Sequence, residues 1–468
     1  MLAVLANRTY GRLFLAQAIA LLGTGLLTVA LGLLAFNLAG DQAGTVLGTA
    51  LAIKMAAYVT VAPVAGAFAA QLPRKAFLIA MDLVRAAIAL LLPFVSEIWQ
   101  IYVLIFLLQS ASAAFTPTFQ ATIPDVLPDE KDYTRALSLS RLAYDLESLI
   151  SPMLAAALLT LVSHHWLFSG TVAGFLVSAA LVLSVTLPVS PAVTRTGGVY
   201  DKTTRGLRIY LATPRLRGLL AFNMAAAAGG AIVIVNTVVF VKGRLGLGDG
   251  EVALALACFG AGSMMAALAL PRLLERLPDR RVMFSAAVYL GCVLAIAAAL
   301  LSGLLERDLS TSMTVGGAGL WPGLLAAWLL LGLGYSAVLT PSGRLLRRSA
   351  HAEDGPAVFA AQFALSHACW LVTYPLAGWL GAVLPASWTF GLFSLLTFAS
   401  VLVAWQVWPS EETGDLVHRH DDLPAGHPHI AGMAQRSHTH AFVIDDLHRQ
   451  WPARNDRARA GGGGGRPR

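Results

Sequence analysis

Charge is scarce in this sequence: Asp, Glu, Lys and Arg make up 13% of the 468 residues while 57% are hydrophobic, and the mean hydropathy is +0.68. A soluble globular chain carries about twice that share of charge, so the composition excludes a soluble fold and indicates a polytopic membrane protein. Cysteine is rarer still. Cys258, Cys292 and Cys369 are the only three. Each lies in an apolar segment far from the others, which argues against a disulfide framework or a thiolate cluster and leaves them packing roles. No Gly-Lys dipeptide occurs, hence no Walker A loop, and neither His-Glu-x-x-His nor Gly-x-Ser-x-Gly is present. The chain therefore reads as neither an enzyme nor a cofactor binder, and any solute it moves must be driven by an ion gradient or by the solute's own.

Apolar segments are what the sequence has in abundance, and about 20 residues suffice to cross ~30 Å of hydrocarbon. Twelve are counted, near residues 13–38, 46–70, 76–96, 99–121, 136–162, 166–187, 218–241, 252–271, 281–304, 321–341, 357–384 and 388–408. The first follows Arg8 and Arg12 as a signal peptide would, but it is too long and lacks a small-residue cleavage site, so it reads as an uncleaved span. Lys and Arg fall almost entirely in one set of alternating loops, nineteen against the three in the other set, Lys242, Arg244 and Arg307. By the positive-inside rule both termini are expected on the cytoplasmic side of an inner (plasma) membrane. The net charge of +7 is distributed by membrane side rather than gathered on one face, so the expected partner is the lipid bilayer and not nucleic acid.

The longest internal hydrophilic stretch, Val189 to Arg217, divides the chain in two. The expected fold is an all-α membrane protein of twelve transmembrane helices in two pseudo-symmetric six-helix bundles, residues 1–188 and 218–409. A cytoplasmic linker, 189–217, joins them, and a largely disordered cytoplasmic tail, 410–468, follows. The halves echo each other. Leu72-Pro73-Arg74-Lys75 follows span 2 and Leu277-Pro278-Asp279-Arg280-Arg281 follows span 8; Thr116-Pro117-Thr118 closes span 4 with Pro152 35 residues on, and Thr340-Pro341-Ser342 closes span 10 with Pro375 34 residues beyond Pro341. Duplicated bundles with a site between them are how alternating-access carriers are built.

On these features the sequence resembles the major facilitator superfamily over about residues 8–409. That family carries Gly-x-Leu-x-Asp-Arg-x-Gly-Arg-Lys after span 2; here the stretch runs Gly66 to Lys75, with Ala70 in place of the acid and Pro73 in place of the second glycine. The resemblance implies a gating role for Arg74 and Lys75. Asp82 and Arg85, three residues apart on one helix face, are a candidate substitute for the missing latch pair. Phe119 to Asp125 also resembles the loop after span 4 in exporters of the superfamily.

Span 5, Ala136 to Pro152, carries Arg141, Asp145 and Glu147, and each charge left against lipid would cost roughly 2.5 to 3.5 kcal/mol. Arg141 and Asp145 are four apart, about 40° round the helix, and can neutralise each other. Glu147 is roughly 200° from Asp145 and lacks a partner on its own helix. Lys54, ~12 Å into span 2, lies at similar depth, as does His367, ~15 to 17 Å from the inner end of span 11. Spans 2 and 11 meet in the family, so the resemblance implies that Lys54 lies near His367. Asn37 and Gln109 are weaker candidates.

Seven of the eleven histidines lie in the tail: His418, His420, His427, His429, His438, His440 and His448. The first six form three His-x-His pairs. In an extended segment each pair offers two imidazoles to one ion, a donor set that suits Ni2+, Co2+, Zn2+ or Cu2+. Nickel-resistance permeases of the superfamily resemble this chain in TFQATIPDVLPDE, in RLAYDLESLISP and in a histidine-rich end. The resemblance implies a monomeric exporter of a divalent metal, nickel or cobalt, by proton antiport. Two rivals stay open: an exporter of a drug, siderophore or other organic compound, and a receptor that senses metal through its tail. The run Gly461 to Gly465 is low in complexity.

Overall fold

The computed structural model describes residues 2–39, 43–69, 72–159, 161, 163, 165–188, 199–238, 240–241, 245–308, 317–409, 415–419 and 437–452. Fourteen α-helices account for nearly all of it: α1 (Arg8–Ala39), α2 (Ala43–Ala69), α3 (Arg74–Leu91), α4 (Ile98–Val126), α5 (Glu130–Leu159), α6 (His165–Leu183), α7 (Val199–Ala212), α8 (Pro214–Val238), α9 (Asp249–Leu274), α10 (Asp279–Asp308), α11 (Gly317–Leu339), α12 (Ser342–Arg348), α13 (Gly355–Val383) and α14 (Ala386–Val407). Twelve of these have 18 residues or more. By length and composition, ten long helices can cross a membrane. The other two are α2, with a described apolar stretch at Ala52–Gly66, and α5, whose apolar run is broken by charge.

Helix boundaries follow local chemistry. Gln100 Oε1 accepts the Ser96 and Glu97 N–H groups at 2.9 and 3.1 Å to start α4, and Asp129 Oδ1 does the same for Lys131 and Asp132 at 2.9 and 3.0 Å before α5. Two short helices were not foreseen. The linker contains α7, amphipathic and too short to span, and α12 follows α11 within Ser342–Arg348. Pro117, expected to close span 4, lies inside α4, which runs on to Val126; buried neighbours on both sides carry the helix past the missing N–H.

The two halves have the same wiring. In the first, α1 packs on α5 and α6, α2 on α4, and α3 on α4 and α6; in the second, α8 packs on α13 and α14, α9 on α11, and α10 on α11 and α14. Each pair in one half has its counterpart in the other. The two most extensive contacts between the halves are α2 with α13 and α5 with α9, which the same symmetry exchanges; α4 also touches α13, and α5 touches α12. The described turns after α2, α4, α7, α9 and α11, which carry basic residues, meet at one end of the bundle, here called the basic end.

Lipid tails are as apolar as leucine, so helices associate through close packing rather than through a hydrophobic drive. The α9–α11 crossing shows this. Side chains are absent at Gly262 and Gly332, where a methyl group would overlap the Leu329 and Phe259 carbonyls respectively. Gly23 and Gly174 let α1 approach α6 in the same way, with a Cβ at Gly174 only 3.3 Å from the Gly23 Cα. The Gly262→Ala variant should be less stable by about 1–3 kcal/mol, the usual range for overpacking. A thermal melt in detergent, with Gly323→Ala as control because a methyl there meets nothing within 4 Å, should show a lower midpoint only for Gly262→Ala.

Candidate functional site

The α2–α13 seam collects the first group of polar residues. Lys54 and Tyr58 are one turn apart on α2, with the Lys54 ammonium 5.7 Å from the Tyr58 ring centre. The Tyr58 hydroxyl donates to Gln109 Oε1 of α4 at 2.8 Å, which fixes the ring. From the other half, His367 meets this ring edge-on at 4.7 Å and Phe363 lies 4.8 Å away. His367 Nδ1 donates to the Phe363 carbonyl at 2.7 Å, which leaves Nε2 as the acceptor in the neutral ring. Glu147 of α5 is close enough to Lys54 to interact with it electrostatically. It packs where α1 has no side chain: a methyl at Gly25 would come within 2.9 Å of Glu147 Oε1.

The α5–α9 seam holds the second group. Arg141 Nε donates to Ser263 Oγ of α9 at 3.1 Å, and its guanidinium lies 4.7 Å from the centre of the Tyr335 ring on α11. A planar guanidinium can stack and hydrogen-bond at once. Tyr335 belongs to an aromatic row with Phe259 at 5.5 Å and Trp370 at 6.1 Å, and Tyr374 lies 4.9 Å beyond Trp370. The Trp370 indole fits because α8 has Gly230 beneath it. The side chains of Asp145 and Asn37 lie outside the described residues.

The helix-end residues separate into two sets. Asp82 and Arg85 pair with each other; Asp82 also accepts from Ser178 Oγ at 2.8 Å, and the Arg85 guanidinium lies 4.1 and 4.5 Å from the Phe115 and Phe175 ring centres. All these partners belong to the first half, where the pair is buried among α3, α4 and α6. Arg74 pairs with Asp125 at the end of α4, also within the first half, and Lys75 follows in the same turn. The ion pairs that join the halves at the basic end come from α12 instead. Arg344 reaches Glu130 of α5 at 2.9 Å and Asp279 of α10 at 3.2 Å, and Arg348 bonds both, with Asp279 at 3.1 Å. Close beside them Arg347 lies 5.4 Å from the Tyr133 ring centre.

Comparison with known proteins fits this wiring. A profile of the Major Facilitator Superfamily matches residues 13–315. The chain belongs to that superfamily. Among curated relatives it is 27% identical over 124 residues to the uncharacterized MFS-type transporter YfiS of Bacillus subtilis, covering 26% of this chain and 30% of that protein. It is 28% identical over 176 residues to YvqJ of the same organism, covering 35% and 42%; the chain thus matches less than half the length of either. Among solved structures, the human organic anion transporter MFSD10 superposes with a TM-score of 0.70 at 13% identity, covering 85% of this chain and 99% of that one. A bacterial homologue of the iron transporter ferroportin, in an outward-facing state with soaked iron, superposes with 0.66 at 15% identity, covering 85% and 98%. At these identities the likeness is one of fold. Superfamily membership and ten described helices long and apolar enough to span describe a multi-pass membrane protein.

In this member of the superfamily the described tail residues are a two-stranded ribbon and a segment docked on the body. Strands β1 (Asp415–Arg419) and β2 (Ser437–Ala441) pair antiparallel, with His418 opposite His438 and Leu416 opposite His440. His420, His427 and His429 lie outside the described residues, as do the strand side chains. His448 stands apart from the ribbon: it is buried, its Nδ1 lies 2.9 Å from Asp445 Oδ1, and its ring meets Phe442 at 4.8 Å. Burial alone would raise the Asp445 carboxyl. The side chain and backbone N–H of His448, with the N–H of Leu447, instead hold it well below the usual carboxylate range, so it is ionised at neutral pH. Among the described residues no group of three or more His, Cys, Asp or Glu side chains could hold a metal ion.

Sequence reasoning missed Tyr58, Ser263, Tyr335 and the Arg344–Glu130–Asp279–Arg348 cluster. Tyr58 carried a signal, one helical turn from Lys54; Ser263 and Tyr335 carried none. The Arg141→Lys variant keeps the charge but loses the planar contact and the Ser263 bond, and its initial transport rate in proteoliposomes should fall about tenfold. Tyr58→Phe, which loses one hydrogen bond and keeps the ring, should fall only about threefold to tenfold. Equal rates for Arg141→Lys and wild type would remove Arg141 from the working site.

Proposed function

We propose that this transporter is a proton-coupled secondary exporter whose coupling site is Glu147 with Lys54, and whose route passes His367, with Arg141 and Asp145 positioning α5. The observation that carries the reading is a carboxylate and an ammonium from different helices that act on each other electrostatically, beside the α2–α13 seam that alternating access must open and close. When Glu147 is ionised, Lys54 balances it. Protonation of Glu147 removes that balance, so the pair links proton occupancy to the state of the seam. The basic end is the cytoplasmic one by the charge rule, which puts both termini in the cytoplasm, and the Arg344 and Arg348 bonds to Glu130 hold that end closed.

For the substrate, the three His-x-His pairs and the likeness to nickel-resistance permeases favour Ni2+, with cobalt close behind. The seams supply no described metal-ligand group, so on this reading the histidine tail captures the ion and the route passes it on. A second reading, an organic compound, is favoured by the aromatic row Phe259, Tyr335, Trp370 and Tyr374 beside Arg141. A ferroportin homologue and an organic anion transporter share the fold, so fold alone does not choose between them.

Transport into inside-out vesicles, with and without a pH gradient, tests both readings. Wild type should accumulate Ni2+ and lose this when the gradient is collapsed, and Glu147→Gln should abolish the pH dependence; export by that variant with wild-type pH dependence would sink the coupling assignment. Replacing His418, His420, His427, His429, His438 and His440 by Ala, with residues 441–468 kept, should lower nickel tolerance in cells severalfold. Unchanged tolerance, together with uptake of an organic cation or anion, would transfer the assignment to the second reading.

A further inference from the structure

Three helices meet at the basic end with almost no side chain between them. Gly66 of α2 faces α13, where a methyl group would lie 3.3 Å from the Pro356 carbonyl oxygen and would also strike Ala360; Gly206 of α7 faces the carbonyl of Ala357. The linker helix α7 thus packs on α13 of the second half and on α2 of the first. Immediately before Gly206 lies Arg205, whose Nε and Nη2 donate to both carboxylate oxygens of Asp354 at 2.6 and 3.1 Å. Asp354 is the residue from which α13 starts.

The third bond of Arg205 goes to the tail: Nη1 donates to Asp446 at 2.6 Å. Four other contacts seat the same tail segment. Phe442 and Ile444 are each 4% exposed and belong to the same apolar cluster as Ile209 and Tyr210 of α7. His351, in the turn before α13, lies 3.4 Å from Asp445. The Arg215 guanidinium, at the start of α8, lies 5.8 Å from the Trp451 ring centre. The segment is locally rigid, since Asp445 Oδ1 accepts the N–H groups of Leu447 and His448 at 2.9 and 2.6 Å and closes a turn.

We propose that Phe442–Trp451 is a strap that docks on the basic corner formed by Arg205, His351 and Arg215, fastens α7 to the start of α13, and so braces the closed α2–α7–α13 junction against opening. The occupant of this corner is the chain's own tail, and its fit is chemical: two carboxylates meet the basic side chains, and two aromatic rings and an isoleucine cover the apolar floor. The strap is continuous with β2 through Ala441, so whatever binds the histidine ribbon is attached to the brace. The bracing role rests on the alternating-access reading, because only a junction that must open gains from a brace; the docking does not.

Hydrogen exchange on the full chain in lipid nanodiscs, without substrate, tests the strap separately from flux. Asp446 is 77% exposed at its side chain, so Asp446→Asn threatens the bracing contact and not the fold. Peptides covering 442–451 should exchange up to about fivefold faster in this variant, the range of a partly exposed ion pair. Peptides at the basic ends of α2 and α13 should speed up with them by about twofold or more. Trp451→Ala, which acts from the other end of the strap, should give the same coupled pattern. A strap that loosens while the junction keeps its protection would overturn the bracing role, and a strap equally protected in both variants would overturn the docking. Absence of proton-coupled flux in wild type would count against the transport reading and leave the exchange result standing.

Discussion

A charge placed at membrane depth has to be met by protein, and the architecture is organised by how each such charge is met. Arg85 is met inside one half by Asp82 and two aromatic rings, a cheap solution that needs no moving part. Lys54, Glu147 and Arg141 are met differently. Their partners come from other helices, and for Arg141 from the other half. Charges that depend on two bodies for their solvation make the relative position of those bodies an electrostatic variable.

The symmetry of the fold gives that variable two equivalent seams. The α2–α13 and α5–α9 contacts exchange under the repeat, yet they carry different chemistry. One has a lysine, a tyrosine and a histidine in series; the other has an arginine stacked on an aromatic row. Backbone packing at Gly262 and Gly332 keeps the second half rigid enough to present that row. Rigid halves with polar seams are what rocking motion requires, since a flexible half would dissipate the movement within itself.

Toward the basic end the seams pass from side-chain chemistry to backbone contact and then to ion pairs. The α12 arginines, the α7 linker helix and the tail segment all converge there. None of the three spans the membrane. Each is a short, charged element whose place is set by the ends of the spans it touches, and together they give the basic end more polar bonds than one loop motif supplies.

The all-helical membrane fold and its repeated six-helix pattern were legible in the sequence, because both rest on local quantities, run length and hydropathy. The helices α7 and α12 were not, because apolar length does not register elements too short to span. The latch was sought at Asp82 and Arg85, which have the right spacing, but their contacts described here are buried within one half; the bonds between halves fell to Arg344 and Arg348, which read in sequence only as loop charge. Thus the sequence by itself determined which charges fall within apolar segments and so need partners, for that follows from hydropathy. Only the tertiary structure decided which partners, because Ser263, Tyr335 and Glu130 are brought to Arg141, Arg344 and Arg348 by the packing of two halves, and Asp446 to Arg205 by the docking of the tail on the linker helix; no periodicity within one helix encodes a contact between two.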